Sequence, residues 1–217
     1  MKPKRPQLSE CPHVLIVEGH SDLFFYAAFL HHMGRLPGVY IQEFQGKSKI
    51  LNRELLGDFI TPKLLAEKSS IGILLDADEN AAGTVQSIRS HLKALTGRDV
   101  PEGQWHDATG EARLGFFVAP EPTLTGEIET LAWNAFPADD KHTQMKRAVA
   151  EYLEKMAELG WKVHSRDKGR IGAFLSAAYD EDPRLGAGAR EGRFDFDLPG
   201  FDRLRTFLSI LPVHSTK

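Results

Sequence analysis

Three short stretches in this chain each hold an unbroken apolar run: VLIV in HVLIV (13–17), IGILL in SIGILLD (70–76), and LGFFVAP (114–120). A strand with one wet face alternates apolar and polar residues. An unbroken run belongs to a strand covered on both faces, as in a parallel sheet between two helical layers. The segments between the runs carry the helical period. From Ser21, a candidate N-cap, to Met33 the residues Leu23, Phe24, Phe25, Ala27, Ala28 and Leu30 make a helix apolar on most sides. The turn GRLPG leads into VYIQEF (39–44), a further strand, and 47–67 reads as helix broken at Thr61–Pro62. After the 70–76 strand, Val85, Ile88, Leu92 and Leu95 share one helical face and Gln86, Arg89 and Lys93 another. Strand and helix thus alternate, which predicts an α/β fold: a parallel, Rossmann-like sheet with helical crossovers.

This reading divides the chain into a flexible tail (1–12), an α/β domain (13–136) and a helical extension packed on it (137–217). Residues 97–113 are rich in Gly, Asp and Thr and are expected to be a long loop, and GAGAREG (186–192) a flexible one. Helices are expected over 126–136, 139–159 and 167–179. The second places Met145, Val149, Tyr152, Met156 and Leu159 on one stripe. Its near-heptad spacing is too short for a coiled coil, so a core-facing helix is expected. A last amphipathic helix carries Phe201, Leu204, Leu208 and Leu211. The net charge of -3 gives no overall basic field, so a nucleic-acid partner would have to meet a local basic surface. The lone Cys11 excludes an intrachain disulfide and any multi-cysteine zinc site. MKPKRPQLSE has no apolar centre and does not read as a signal peptide. No run reaches the ~20 apolar residues of a membrane span. A cytoplasmic protein with no membrane partner is the expectation.

Acids gather where these strands end. Glu18, Gly19 and Asp22 follow the first in LIVEGHSD; Asp76 and Asp78 follow the 70–76 strand in ILLDADEN; Glu127 and Glu129 follow the 114–120 strand. Open parallel sheets bind ligands at the carboxyl ends of their strands. Carboxylates packed this closely repel one another and raise each other's pKa unless a cation joins them. Mg²⁺ or Mn²⁺, one ion or two, supplies that cation, and a two-ion clamp serves phosphodiester chemistry. The alternative is structural: Asp78 or Asn80 caps the next helix, and Gly19 only permits a tight turn. HSRDKGR (164–170) is a small basic cluster, either a solvated face or, near the acids, a phosphate clamp formed by Arg166, Lys168 and Arg170.

VEG-x-x-D after the first strand and D-x-D after the 70–76 strand resemble the Toprim domain over roughly 13–135. That domain occurs in topoisomerases, bacterial primases, small ribonucleases and overcoming-lysogenization-defect (OLD) nucleases. The matching residues are Glu18, Gly19, Asp76 and Asp78. OLD-type nucleases add an acid four residues past the first Glu, an acid pair at a later helix start, and a lysine. Asp22, Glu127/Glu129 in TGEIETL and Lys168 stand at those places. The whole chain also resembles a small prokaryotic family of stand-alone Toprim-like proteins, with Glu129 the closer match to its G-x-L-E motif.

The resemblance implies a metal-dependent nuclease acting on DNA or RNA. Asp76 and Asp78 would hold one ion, and Glu18, Asp22 and Glu129, with Glu127 beside it, the second. Water would be the nucleophile, Glu18 would assist proton transfer and Lys168 would stabilise phosphate charge. The chain departs from its relatives in having neither a strand-passage domain nor the OLD ATPase, which a partner protein would have to supply. FQGKSK (44–49) contains GKS, but Ile41 stands where a phosphate loop needs glycine, so GKS is read as a helix start. Two other readings stay open: a Toprim binding module without turnover, and a nucleotide-sugar transferase using the D-x-D.

Overall fold

The computed structural model describes residues 6–163, 165–180 and 182–213. His164 of the basic cluster, and the first five residues of the expected tail, lie outside the described residues. The strands are β1 (His13–Val17), β2 (Val39–Glu43), β3 (Ser70–Asp76), β4 (Trp105–Ala108) and β5 (Glu111–Ala119). They form one sheet in the order β2-β1-β3-β5-β4. All neighbours are parallel except β4, which returns antiparallel on β5. The helices are α1 (His20–His32), α2 (Lys47–Ile50), α3 (Arg53–Phe59), α4 (Pro62–Glu67), α5 (Ala81–Thr96), α6 (Ile128–Ala135), α7 (Asp140–Glu158), α8 (Arg166–Ala178), α9 (Leu185–Arg190) and α10 (Asp202–Leu208). The α/β class expected from the unbroken runs is the one observed: every residue of β3 is buried. Among the described residues, no helix is long and apolar enough to cross a membrane.

Successive side chains of a strand point to opposite faces, and each face has its own core. Val14, Ile16, Ile71 and Ile73 pack with Ile50, Leu56, Ile88 and Leu92 on one side. Leu15, Val17 and Leu74 pack on the other with Phe25, Phe29, Leu131, Phe201, Leu204, Leu208 and Leu211. The second core therefore draws on residues nearly two hundred positions apart. The break at Thr61–Pro62 is a helix start, with Thr61 Oγ1 accepting from Leu64 N.

Four expectations are corrected. The expected loop 97–113 contains β4 and the start of β5. Its strand is held from far away: Trp105 donates from Nε1 to the Phe207 carbonyl (2.8 Å) and stacks on the Phe207 ring. The expected loop 186–192 is largely α9, packed on α1. A Cβ at Gly186 would stand 2.3 Å from the Ser21 carbonyl oxygen, so its glycine serves close approach and not flexibility. Ser21 does not cap α1. Gly19 is the N-cap, while Ser21 Oγ accepts from Gly186 N. Helix α7 is not core-facing in the sense expected: Met145 and Val149 touch the core, but no residue of α7 is buried, because it packs on α8 outside the sheet layers.

Candidate metal centre

The carboxyl ends of β1, β3 and β5 lie side by side, and hydrogen bonds link the segments beyond them. Glu18 Oε1 accepts from Asp76 N at 2.7 Å, linking the first two strand ends. Asp76 is buried, and its Oδ1 accepts from Ile128 N at 2.8 Å, linking β3 to the start of α6. Asp22 sits in the first turn of α1 and accepts from Gly19 N at 2.8 Å. Glu127 caps α6 and Glu129 lies in its first turn, buried. Glu129 Oε2 is enclosed and makes no hydrogen bond.

Lys168 enters this group from α8. Its Nζ lies 2.7 Å from Glu127 Oε2 and 3.5 Å from Glu129 Oε2. Ser165, the α8 N-cap, accepts from Lys168 N at 3.1 Å and donates to Glu127 Oε2 at 3.0 Å, so the two helix starts are tied together. A lysine in the first turn opposes the helix dipole. Here the opposition is offset by the acids it meets.

The electrostatics follow from burial and like charge. Desolvation first, then the hydrogen bond from Asp76 N against it and the charges of Asp22 and Asp78, bring the Glu18 carboxyl to about 7. Glu129 is brought to about 7 by desolvation, against the pull of Lys168. Burial, reinforced by Glu18, Asp22 and Glu129, pushes Asp76 well above the ordinary carboxylate range. Asp22 is raised mainly by burial. Desolvation works against the charge on Lys168, but Glu129 and Glu127 together outweigh it and raise the ammonium above its ordinary range. Carboxyls crowded this closely, with Lys168 drawn in beside two of them, are deficient in positive charge.

The structure brings together Glu18, Asp22, Asp76, Glu127, Glu129 and Lys168. Asp78 stands to one side: its backbone is left-handed (φ 51°) and its Oδ2 takes Lys47 Nζ at 2.8 Å. The cap of α5 is Asn80, not Asp78. Arg170 is held by Asp167 (2.7 Å) and does not reach the acids. Arg166 lines an open cleft of about 820 Å³ beside the site, with Lys47, Asp78, Glu127 and Asp167. Sequence reasoning missed Lys47. Its Nζ also donates to the Asp76 carbonyl (2.6 Å) and the Ala77 carbonyl (3.1 Å), so it clamps the turn between the D-x-D acids. It is the first residue of α2, and the signal is the one Lys168 gives, a lysine at a helix start.

The hard oxygen donors, with a Glu129 oxygen that makes no hydrogen bond and meets Lys168 Nζ only at 3.5 Å, suit a divalent cation. As arranged, however, no three His, Cys, Asp or Glu side chains among the described residues meet closely enough to hold one. The carboxylates would have to turn toward an entering ion, with Lys168 giving way.

A largely parallel sheet with a cluster of carboxylates at its carboxyl edge defines the class: an α/β protein with an acidic strand-end site. More particularly, the chain belongs to the family described as "Protein of unknown function (DUF3226)", whose model matches residues 12–211. Among solved structures it is similar to two of the C-terminal region of the Xanthomonas campestris pv. campestris OLD protein. One, phased with mercury, is 17% identical, covers 93% of this chain and 94% of that one, and gives a TM-score of 0.45. The other, phased with platinum, is 16% identical, covers 93% and 92%, and also gives 0.45. No curated protein matches.

Proposed function

We propose that this acidic pocket binds Mg²⁺ or Mn²⁺ and that the protein hydrolyses nucleic-acid phosphodiesters as a Toprim-type nuclease. The observation that carries the reading is the gathering of the half-buried Glu18 and Asp22 with the buried Asp76 and Glu129 at neighbouring strand ends, with a Glu129 oxygen whose nearest cation, Lys168 Nζ, stands 3.5 Å away. When bound, the ion would neutralise the acids and polarise a phosphate and a water. Asp76, Glu18, Asp22 and Glu129 are the residues to hold it. Asp78 would join them if it left Lys47. Glu18, at the end of β1 and bonded to Asp76 N, would assist proton transfer from the water. Lys168, freed from Glu127, would meet the phosphate, and Arg166 and Lys47 line the cleft along which a strand would lie.

The test is incubation of the purified chain with single-stranded and duplex DNA and RNA in Mn²⁺ or Mg²⁺. Cleavage that chelation and Asp76→Asn both abolish is the expected result. A second reading, a metal-binding module without turnover, draws on the Lys168–Glu127 pair, which already closes part of the pocket. Metal-induced stabilisation with no cleavage of any of the four substrates would select it. No response to metal would remove both.

A further inference from the structure

Among the described residues, the α7–α8 pair leaves an apolar face with nothing packed on it. Six large hydrophobic side chains are exposed in that set, and Tyr152 (53%), Leu159 (64%) and Trp161 (64%) are three of them, all in the second half of α7 or just beyond it. Between the helices runs an open groove of about 720 Å³, bordered on the α8 side by Gly169, Gly172, Ala173, Ser176 and Ala177. Those small residues leave room for large side chains from outside, and a Cβ on Gly172 would meet nothing closer than 4.0 Å.

The charges beside this face have an order. Lys141, Lys146 and Arg147 outnumber Asp140 in the first half of α7, whereas Glu151, Glu154 and Glu158 outnumber Lys155 in the second. Acids at the last turn face the negative end of the helix dipole, so the order does not serve the lone helix. Local pairs such as Arg147–Glu151 and Lys155–Glu158 are exposed and hold little. Turned end for end, the same helix presents acids to bases and bases to acids. An interface that repeats one patch on both sides of a two-fold axis must complement itself in this way. Nucleic acid or an anionic membrane would be repelled by the three glutamates flanking Tyr152 and Leu159.

We infer that this face docks a second copy of the chain, the two α7 helices running antiparallel, with Tyr152 seated at the groove of the partner and Leu159 and Trp161 covered near the start of the partner's α7. The pairing sets Lys141 and Arg147 of each copy alongside the Glu151–Glu158 stretch of the other. It does not depend on the metal reading, since it uses none of those residues.

Sedimentation velocity on the full chain, over a range of concentrations and without metal, tests it. The expected wild-type species has twice the chain mass. Tyr152→Lys with Leu159→Lys should sediment as a monomer with unchanged circular dichroism. Two charge variants at exposed positions guard against misfolding: Lys141→Glu with Arg147→Glu, and Glu151→Lys with Glu158→Lys. Each alone should lose dimer, and an equal mixture should regain it, because only the mixed pair restores opposite charges. A wild type that stays monomeric, a dimer indifferent to these changes, or variants that fail to recover on mixing would each overturn the inference.

Discussion

Replacing Asp76 by asparagine separates a metal ligand from a structural acid. Asp76 Oδ1 accepts from the buried Ile128 N, and asparagine keeps an oxygen there. The carboxyl is held well above its usual range by burial and by Glu18, so asparagine imitates its protonated form. The metal-free variant should therefore be as stable as the wild type, or more so. Alanine should not be: it strands the Ile128 N–H, which costs about 1–3 kcal/mol, or roughly 3–10 °C in a domain of this size at ~2–4 °C per kcal/mol. The metal response runs the other way. An ion that binds only the folded state at 100 times its Kd adds about 2.7 kcal/mol, roughly 5–10 °C by the same conversion. Thermal melts in Mn²⁺ and in chelator should show that rise in the wild type and none in Asp76→Asn. If Asp76→Asn melts as low as Asp76→Ala without metal, or keeps the Mn²⁺ shift, the acid is structural and the metal reading fails.

Lys168→Ala should bind Mn²⁺ at least as tightly, because it removes a competing cation from Glu127 and Glu129. Its single-turnover cleavage should nevertheless fall by about 2–4 kcal/mol of barrier; unchanged cleavage would move the role to Arg166. Lys47→Met removes the clamp on the Asp76–Asp78 turn and should cost about 1–3 kcal/mol in urea titrations while weakening the Mn²⁺ shift; an unaltered midpoint would refute the clamp. Without metal, Glu18 and Glu129 sit near 7 against an ordinary 4.5, so the native state holds protons that the unfolded chain releases. Stability should then decline as pH rises from about 4.5 to 7, on the order of 3 kcal/mol for each carboxyl, and Glu18→Gln with Glu129→Gln should flatten the slope. Gly72→Ala would press a methyl to 2.7 Å from Leu15 and 2.8 Å from Trp105, at about 1–3 kcal/mol of overpacking, read from the denaturation midpoint.

Whatever repeats locally is legible in the chain. Unbroken apolar runs identify β1, β3 and β5 and hence the α/β class, and the acids after them mark the edge where the pocket lies. Distant dependence is hidden. β4 is a polar four-residue segment that exists as a strand because Trp105 finds Phe207 and because β5 offers an edge. α9 reads as a loop because Gly186 makes sense only when α1 is set against it, and Gly188 only when Leu175 of α8 is. In the site, the acids Glu18, Asp22, Asp76, Glu127 and Glu129 can be named from position alone. Asp78 cannot be placed, since its left-handed turn and its Lys47 partner depend on how the segment after β2 folds back. Lys47 escapes for the same reason: GKS fails as a phosphate loop, and the carbonyls that the lysine holds lie some thirty residues further along the chain.

The core shared by Leu15, Phe25 and Leu74 with Phe201, Leu204 and Leu208 sets a timetable for synthesis. Chains emerge in sequence order, so one side of the sheet, met first by α1 and then by α6, stays incompletely covered until the residues near 200 emerge. Arg203 adds to that closure, donating to the Val118 carbonyl (3.0 Å) at the end of β5 and pairing with Glu102. A nascent chain stalled before this point presents Phe25, Phe29 and Phe117 to the cell as a sticky surface, which makes this late segment the step at which chaperone dependence would be decided.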